Sequence, residues 1–181
     1  GFATGAFFAF LGGGPYVATE ILGLSPSAYG LYFGVVSLGY MLGNFISGRY
    51  SRAIGINRMM LLGNVIAAAG LGLSLPLFLA GFHHPLSFFG PTFFLGMGNG
   101  ITLPSANAGV VSVRPHLAGS ASGLGGALQI GVGAALSVLG GALLSQETGP
   151  YPLLILMFVS SIFGVAGTLY VMQVAKTKGD L

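Results

Sequence analysis

Apolar residues dominate the chain in long runs, and short polar clusters separate one run from the next. No charged residue occurs in 1–19, 21–48, 59–113, 115–146 or 148–175. A helix crossing a bilayer needs roughly 20 mostly apolar residues, so four of these runs fit one crossing each. The run 59–113 fits two, with the polar, proline-bearing HHPLS at residues 83–87 near its middle. The pattern therefore predicts six spans, at about 1–22, 28–48, 59–81, 87–111, 118–144 and 152–174. Helices are the form that satisfies backbone groups in lipid. A barrel would alternate in segments of about 10 residues, and these runs are continuous. The expected class is an all-α membrane protein, a single six-helix bundle over residues 1–181.

Composition agrees. Charged residues are 5% of the chain, against about 25% in a soluble domain. Three acids, six bases and three histidines cannot cover a water-exposed surface. A net charge of +3 spread this thinly gives no dense basic patch, so nucleic acid is excluded as a partner. The absence of cysteine excludes disulfides and thiolate chemistry.

The placement of charge carries topology. The stretch GRYSRAIGINR, residues 48–58, holds Arg49, Arg52 and Arg58, half of the positive charge. With six spans, Arg114, Lys176 and Lys178 fall on the same side as these arginines, and Glu20, Glu147, His83 and His84 fall on the other. Lysine and arginine in short loops stay cytoplasmic. Both ends of this chain are therefore expected inside. Tyr29 and Tyr151 near the outer ends, with Tyr50 and Tyr170 near the inner ones, suit an interfacial aromatic belt. The chain opens on Gly1 inside an apolar run, without a basic n-region, and looks cut from something longer.

Small residues recur at helical spacing. Span three carries Gly63, Ala67, Gly70 and Ser74, which reads as helix packing. Span five carries Gly119, Ser122, Gly126, Gln129, Gly133, Ser137 and Gly141. Span two carries Phe33, Ser37, Tyr40, Asn44 and Ser47, with Gly39 and Gly43 beside them. For spans two and five, packing and a water-filled cavity both remain open. Spans one and four are each interrupted, by GGGPY at 12–16 and by GMGNGITLPSANAG at 96–109. Kinking or local unwinding is expected there, with Gly14, Pro15, Gly100 and Pro104 as hinge candidates. These are the first helices of two successive three-helix groups, and matched interruptions point to inverted repeats.

Three stretches carry a family resemblance: FAFLGGGPYVATEILGLSPSAYGLYFG at 8–34, GYMLGNFISGRYSRAIG at 39–55 and PSANAGVVSVRPHLAGSASGLGGALQ at 104–129. Together they resemble the C-terminal six-helix half of a major facilitator superfamily transporter, most like the Bcr/CflA group of bacterial drug-resistance exporters. The second stretch is similar to the superfamily's cytoplasmic loop motif, with Tyr50 and Ser51 in place of its Asp-Arg pair. The resemblance implies twelve helices in two pseudo-symmetric halves, with the N-terminal half missing here. It implies a bacterial inner-membrane protein that exports drug-like small molecules by proton-coupled alternating access. Substrate would sit between the halves, bordered here by spans one, two, four and five.

The residues then sort into roles. Tyr16, Tyr32, Tyr40, Asn44, Asn99 and Gln129 are candidates to line the substrate cavity. Gly48, Arg49, Arg52 and Arg58 are candidates for cytoplasmic gating. Glu20 lies near an outer end, whereas a proton-coupling acid belongs deep in the membrane. It reads as a solvated or structural acid, which leaves the proton carrier to the missing half. The adjacent His83 and His84 do not share a helix face at metal-ligand spacing, and His116 reads as interfacial. GMGNG lacks the strand and lysine of a phosphate loop. No cofactor, metal or enzymatic activity is implied; the partners are lipid, substrate and protons. The alternatives are a channel and a non-transporting helical module, including an inactive fragment.

Overall fold

A computed structural model describes residues 1–112 and 117–178; Arg114 and His116 lie outside these. The described residues form six α-helices and no strand: α1 (Phe2–Tyr16), α2 (Pro26–Ile54), α3 (Ile56–Leu79), α4 (Pro85–Ser112), α5 (Ala118–Ala142) and α6 (Tyr151–Lys178). A π-helical turn, Val17–Ile21, carries α1 onward past Pro15. Four helices, α2, α3, α5 and α6, are long and apolar enough to cross a membrane.

Local chemistry sets the boundaries. Ser25 caps α2, its Oγ accepting from the Ala28 N–H at 3.2 Å, and Pro26 fills the first turn, where a missing N–H costs nothing. The helix thus begins two residues before the apolar span predicted at 28–48. Its other end corrects the expectation of an arginine loop. Gly48, Arg49 and Arg52 are helical, and Arg58 sits in the first turn of α3. The connection narrows to Gly55, with φ +87° and ψ 151°, backbone angles open essentially to glycine alone. Arginine is a good helix former, so charge ends the apolar run without ending the helix.

The surface is inverted relative to a soluble protein. Large apolar side chains point outward all around, among them Leu31, Met41, Phe45, Leu124, Val138 and Phe163. Many buried residues are polar: Thr92, Asn64, Asn99, Thr102, Ser105 and Ser160. Water would oppose this arrangement and lipid favours it.

Packing follows a simple rule. α4 lies against α2 and α3, α1 lies against α5 and α6, and α3 meets α6. Exchanging α1 with α4, α2 with α5 and α3 with α6 maps these packed pairs onto themselves. Each first helix of a triplet is therefore held by the second and third helices of the other triplet. The end of α4 reaches the start of α3, with Gly109 against Ile56, and the end of α3 reaches the start of α6, with Tyr151 against Phe78. α3 thus runs opposite to both α4 and α6. At the histidine end an aromatic cluster joins α1, α2 and α4: Phe10 stacks on Phe33 at 5.8 Å, and Tyr32 stacks on Phe89 at 5.1 Å.

Candidate functional site

Helix α4 organises the polar interior through three of its faces. Gly96 and Gly100, one turn apart, meet Gly39 and Gly43, one turn apart on α2. A Cβ on Gly39 would overlap the Phe93 carbonyl, on Gly43 that of Met97, on Gly96 that of Val36 and on Gly100 that of Tyr40. The contact is reciprocal and made by backbone, the closest approach helices can make. Gly98 turns to α3, where its Cβ would meet the Gly63 carbonyl, and Thr102 Oγ1 donates to the Met60 carbonyl at 3.4 Å. The GMGNG segment is therefore a packing device facing two ways.

Asn99 lies at the midpoint of α4 on the remaining buried face, at helical spacing from Thr92 and Leu95. Its Nδ2 is buried without a hydrogen-bond partner among the described residues. α1 and α5 also pack against α4. Toward the arginine end, Gln129 Nε2 donates to Asn107 Oδ1 at 3.2 Å, a bridge from α5 to α4. The sequence reading missed Asn107. Its available signal was a carboxamide in an otherwise small and apolar segment, eight residues from Asn99.

The other candidates sit apart. Tyr16 ends α1, half-buried, just before the π turn. Thr19 Oγ1 donates to the Pro15 carbonyl at 3.0 Å there, and Glu20 is exposed. Tyr32 belongs to the aromatic cluster at the histidine end. Tyr40 is exposed on α2, and its carbonyl accepts from Asn44 Nδ2 at 2.8 Å. Of the hinge candidates, Gly14 is buried against the ring of Phe10, while Gly100 sits in the α2 contact. Helix α4 continues through both Gly100 and Pro104 without unwinding.

At the arginine end an open cavity of about 950 Å³ lies among α2, α3 and α4. Arg52, Arg58, Asn57, Ser51 and Ser105 line it with Asn44, and no acid lines it among the described residues. Of the six substrate-cavity candidates only Asn44 reaches it. Arg49 lies with Arg52 in a neighbouring groove. No cluster of His, Asp and Glu suited to a metal occurs among the described residues.

Comparison with known proteins places the chain. The model of the Major Facilitator Superfamily matches residues 1–180. A curated relative, the uncharacterized MFS-type transporter YdgK of Bacillus subtilis (strain 168), is 32% identical over 165 residues. That match covers 91% of this chain and 40% of YdgK, so the chain spans less than half of the relative's length. No solved structure matches. The apolar exterior, the polar interior and the family match over nearly every residue agree: the chain is a multi-pass membrane protein and belongs to the Major Facilitator Superfamily.

Proposed function

We propose that this chain is the C-terminal six-helix half of a proton-coupled exporter of drug-like small molecules in the bacterial inner membrane. The observation that carries the reading is the superfamily match over residues 1–180, combined with coverage of only 40% of the relative. The exchange symmetry of the packed helices supports a 3+3 inverted repeat. On this reading α1 and α4 cross the bilayer as well. α1 reaches crossing length only with its π turn. α4 is 28 residues long, and Gly96, Gly98, Gly100 and Thr102 in its middle face other helices, so it has less need of the hydropathy that lipid demands.

Alternating access requires two packings of similar energy. The α5 stripe suits this. Gly133 and Ser137 pack against Phe8 and Gly12 of α1, while a Cβ on Gly119, Gly123 or Gly126 would meet nothing within 4 Å among the described residues. The open part offers a smooth face to the absent half. Asn99 and Gln129, with Tyr16, Tyr32, Tyr40 and Asn44, would supply amide and aromatic contacts to a largely apolar substrate. The arginines would fix topology and hold helix ends together in one of the two states.

Dye uptake into everted vesicles carrying the full-length protein tests the reading. Uptake is expected with a proton gradient and should vanish when an uncoupler removes it. Gradient-independent flux would indicate a channel, and no flux a non-transporting module. Arg49→Ala and Arg52→Ala should each lower uptake with normal membrane insertion. Unchanged uptake in both would remove the gating role.

A further inference from the structure

We propose that the cavity between α2, α3 and α4 at the arginine end is a binding site for a phosphate-bearing anion. This goes beyond the transport reading and does not depend on which compound is moved.

Four observations converge on that cavity. Arg52 and Arg58 both line it, contributed from opposite sides of the Gly55 turn. Among the described residues no acid lines it and no ion pair reaches either arginine. Helix α3 begins in its wall at Ile56, with no side-chain cap on its N-terminus and no acidic residue in its first turn. The first N–H groups of a helix carry partial positive charge and seek an acceptor. Finally, Ser105 lines the cavity, is 3% exposed, and has an Oγ with no partner among the described residues.

The recognition chemistry follows. Two guanidinium groups present planar forks of donors that match phosphate oxygens. The open backbone N–H groups of α3 add dipolar attraction, and Asn57 and Ser51 offer further polar groups on the same wall. A lone serine hydroxyl would not select an anion; two arginines with no acidic partner among the described residues, beside an uncapped helix start, do. Two sources of such an anion reach this position. The 29 residues of α2 span about 43 Å at 1.5 Å per residue, longer than a hydrocarbon core of roughly 30 Å. The arginine-bearing turns thus stand at headgroup level, where anionic phospholipids present phosphate. Free phosphate from the adjoining solution is the other source.

Thermal unfolding of the purified full-length protein in an uncharged detergent tests the site. Three additions are compared: short-chain phosphatidic acid, inorganic phosphate, and sodium chloride at matched ionic strength. A saturable rise in Tm with phosphatidic acid, with inorganic phosphate or with both, and none with chloride, is the expected result. A response to the lipid alone assigns a headgroup site, and a response to both assigns a general phosphate site. The double variant Arg52→Gln/Arg58→Gln should weaken the apparent affinity at least tenfold. Arg52→Lys/Arg58→Lys, which keeps charge but loses the fork, should fall between, and Lys176→Gln should bind as the parent does. Equal shifts in the parent and the Gln double variant, an equal response to chloride, or no shift with any addition would overturn the proposal. Arg52 and Arg58 are exposed. Should the Gln pair nonetheless fail to fold, the Lys pair carries the comparison: affinity equal to the parent's would count against the site.

Discussion

Replacing Gly43 or Gly100 with valine is expected to leave little folded protein in the membrane. Each added Cβ would drive into a carbonyl on the facing helix, Met97 for Gly43 and Tyr40 for Gly100. A side chain in the way can rotate, whereas backbone moves only if the helices part. Parting α2 from α4 also breaks the matching contacts at Gly39 and Gly96. The expected cost is about 3 kcal/mol for each substitution, the upper end for overpacking. The controls lie on the same helix. A Cβ on Gly30 or Gly34 would meet nothing within 4 Å among the described residues, so Gly30→Val and Gly34→Val should fold as the parent does. Gly133→Val should fall between, since its obstacle is the ring of Phe8. Yield of monodisperse protein and Tm in detergent read the series. Equal stability of Gly30→Val and Gly43→Val would show that the glycine pairs do not hold α2 to α4.

The second large effect separates two buried asparagines. Asn64 Nδ2 donates to Thr168 Oγ1 at 3.0 Å and ties α3 to α6. Asn64→Leu removes that bond and leaves the Thr168 hydroxyl donating only to the Gly164 carbonyl, so a loss of about 0.6–2 kcal/mol is expected, the range for bonds between membrane helices. Asn99 is equally buried, but its Nδ2 has no partner among the described residues. With no hydrogen bond from its Nδ2 to lose among the described residues, Asn99→Leu should leave stability within about 1 kcal/mol of the parent. Transport should respond the opposite way. If Asn99 offers its amide to substrate, export should fall about tenfold in Asn99→Leu, the worth of one hydrogen bond of ~1.4 kcal/mol. Export should persist in whatever fraction of Asn64→Leu remains folded. A destabilised Asn99→Leu with normal transport per folded molecule would make Asn99 a structural residue.

Much of this architecture is legible in the sequence, and particular residues explain what is not. The all-helical character follows from long uncharged runs, because lipid leaves the backbone no other partner. The stripe on α3 is read correctly: Gly63, Ala67, Gly70 and Ser74 are all buried. The true end of α2 is hidden, because residues 49–54 leave the apolar pattern while keeping helix propensity, and only the positive φ of Gly55 stops the helix. On α2 the buried face is Val36, Gly39, Gly43 and Ser47, not the stripe through Ser37 and Tyr40, both exposed. Glycine at a four-residue spacing marks the packed face, and the polar stripe beside it, which ends in the buried Ser47, stays open at Ser37 and Tyr40. Asn107 and its bond to Gln129 join residues 22 positions apart, and no local pattern announces such a pairing. The cavity at the arginine end depends on how α2, α3 and α4 diverge, which spacing along one chain does not encode.

The central claim is that these helices weave through a bilayer with their cationic ends on the cytoplasmic face. Single cysteines at positions 52, 83, 147 and 176 test it most directly, since residues 1–181 contain no cysteine of their own. In intact cells carrying the full-length protein in a cysteine-free background, a membrane-impermeant maleimide should label His83→Cys and Glu147→Cys. Arg52→Cys and Lys176→Cys should react only after the membrane is opened. Labelling of positions 52 and 83 from the same face would contradict the account.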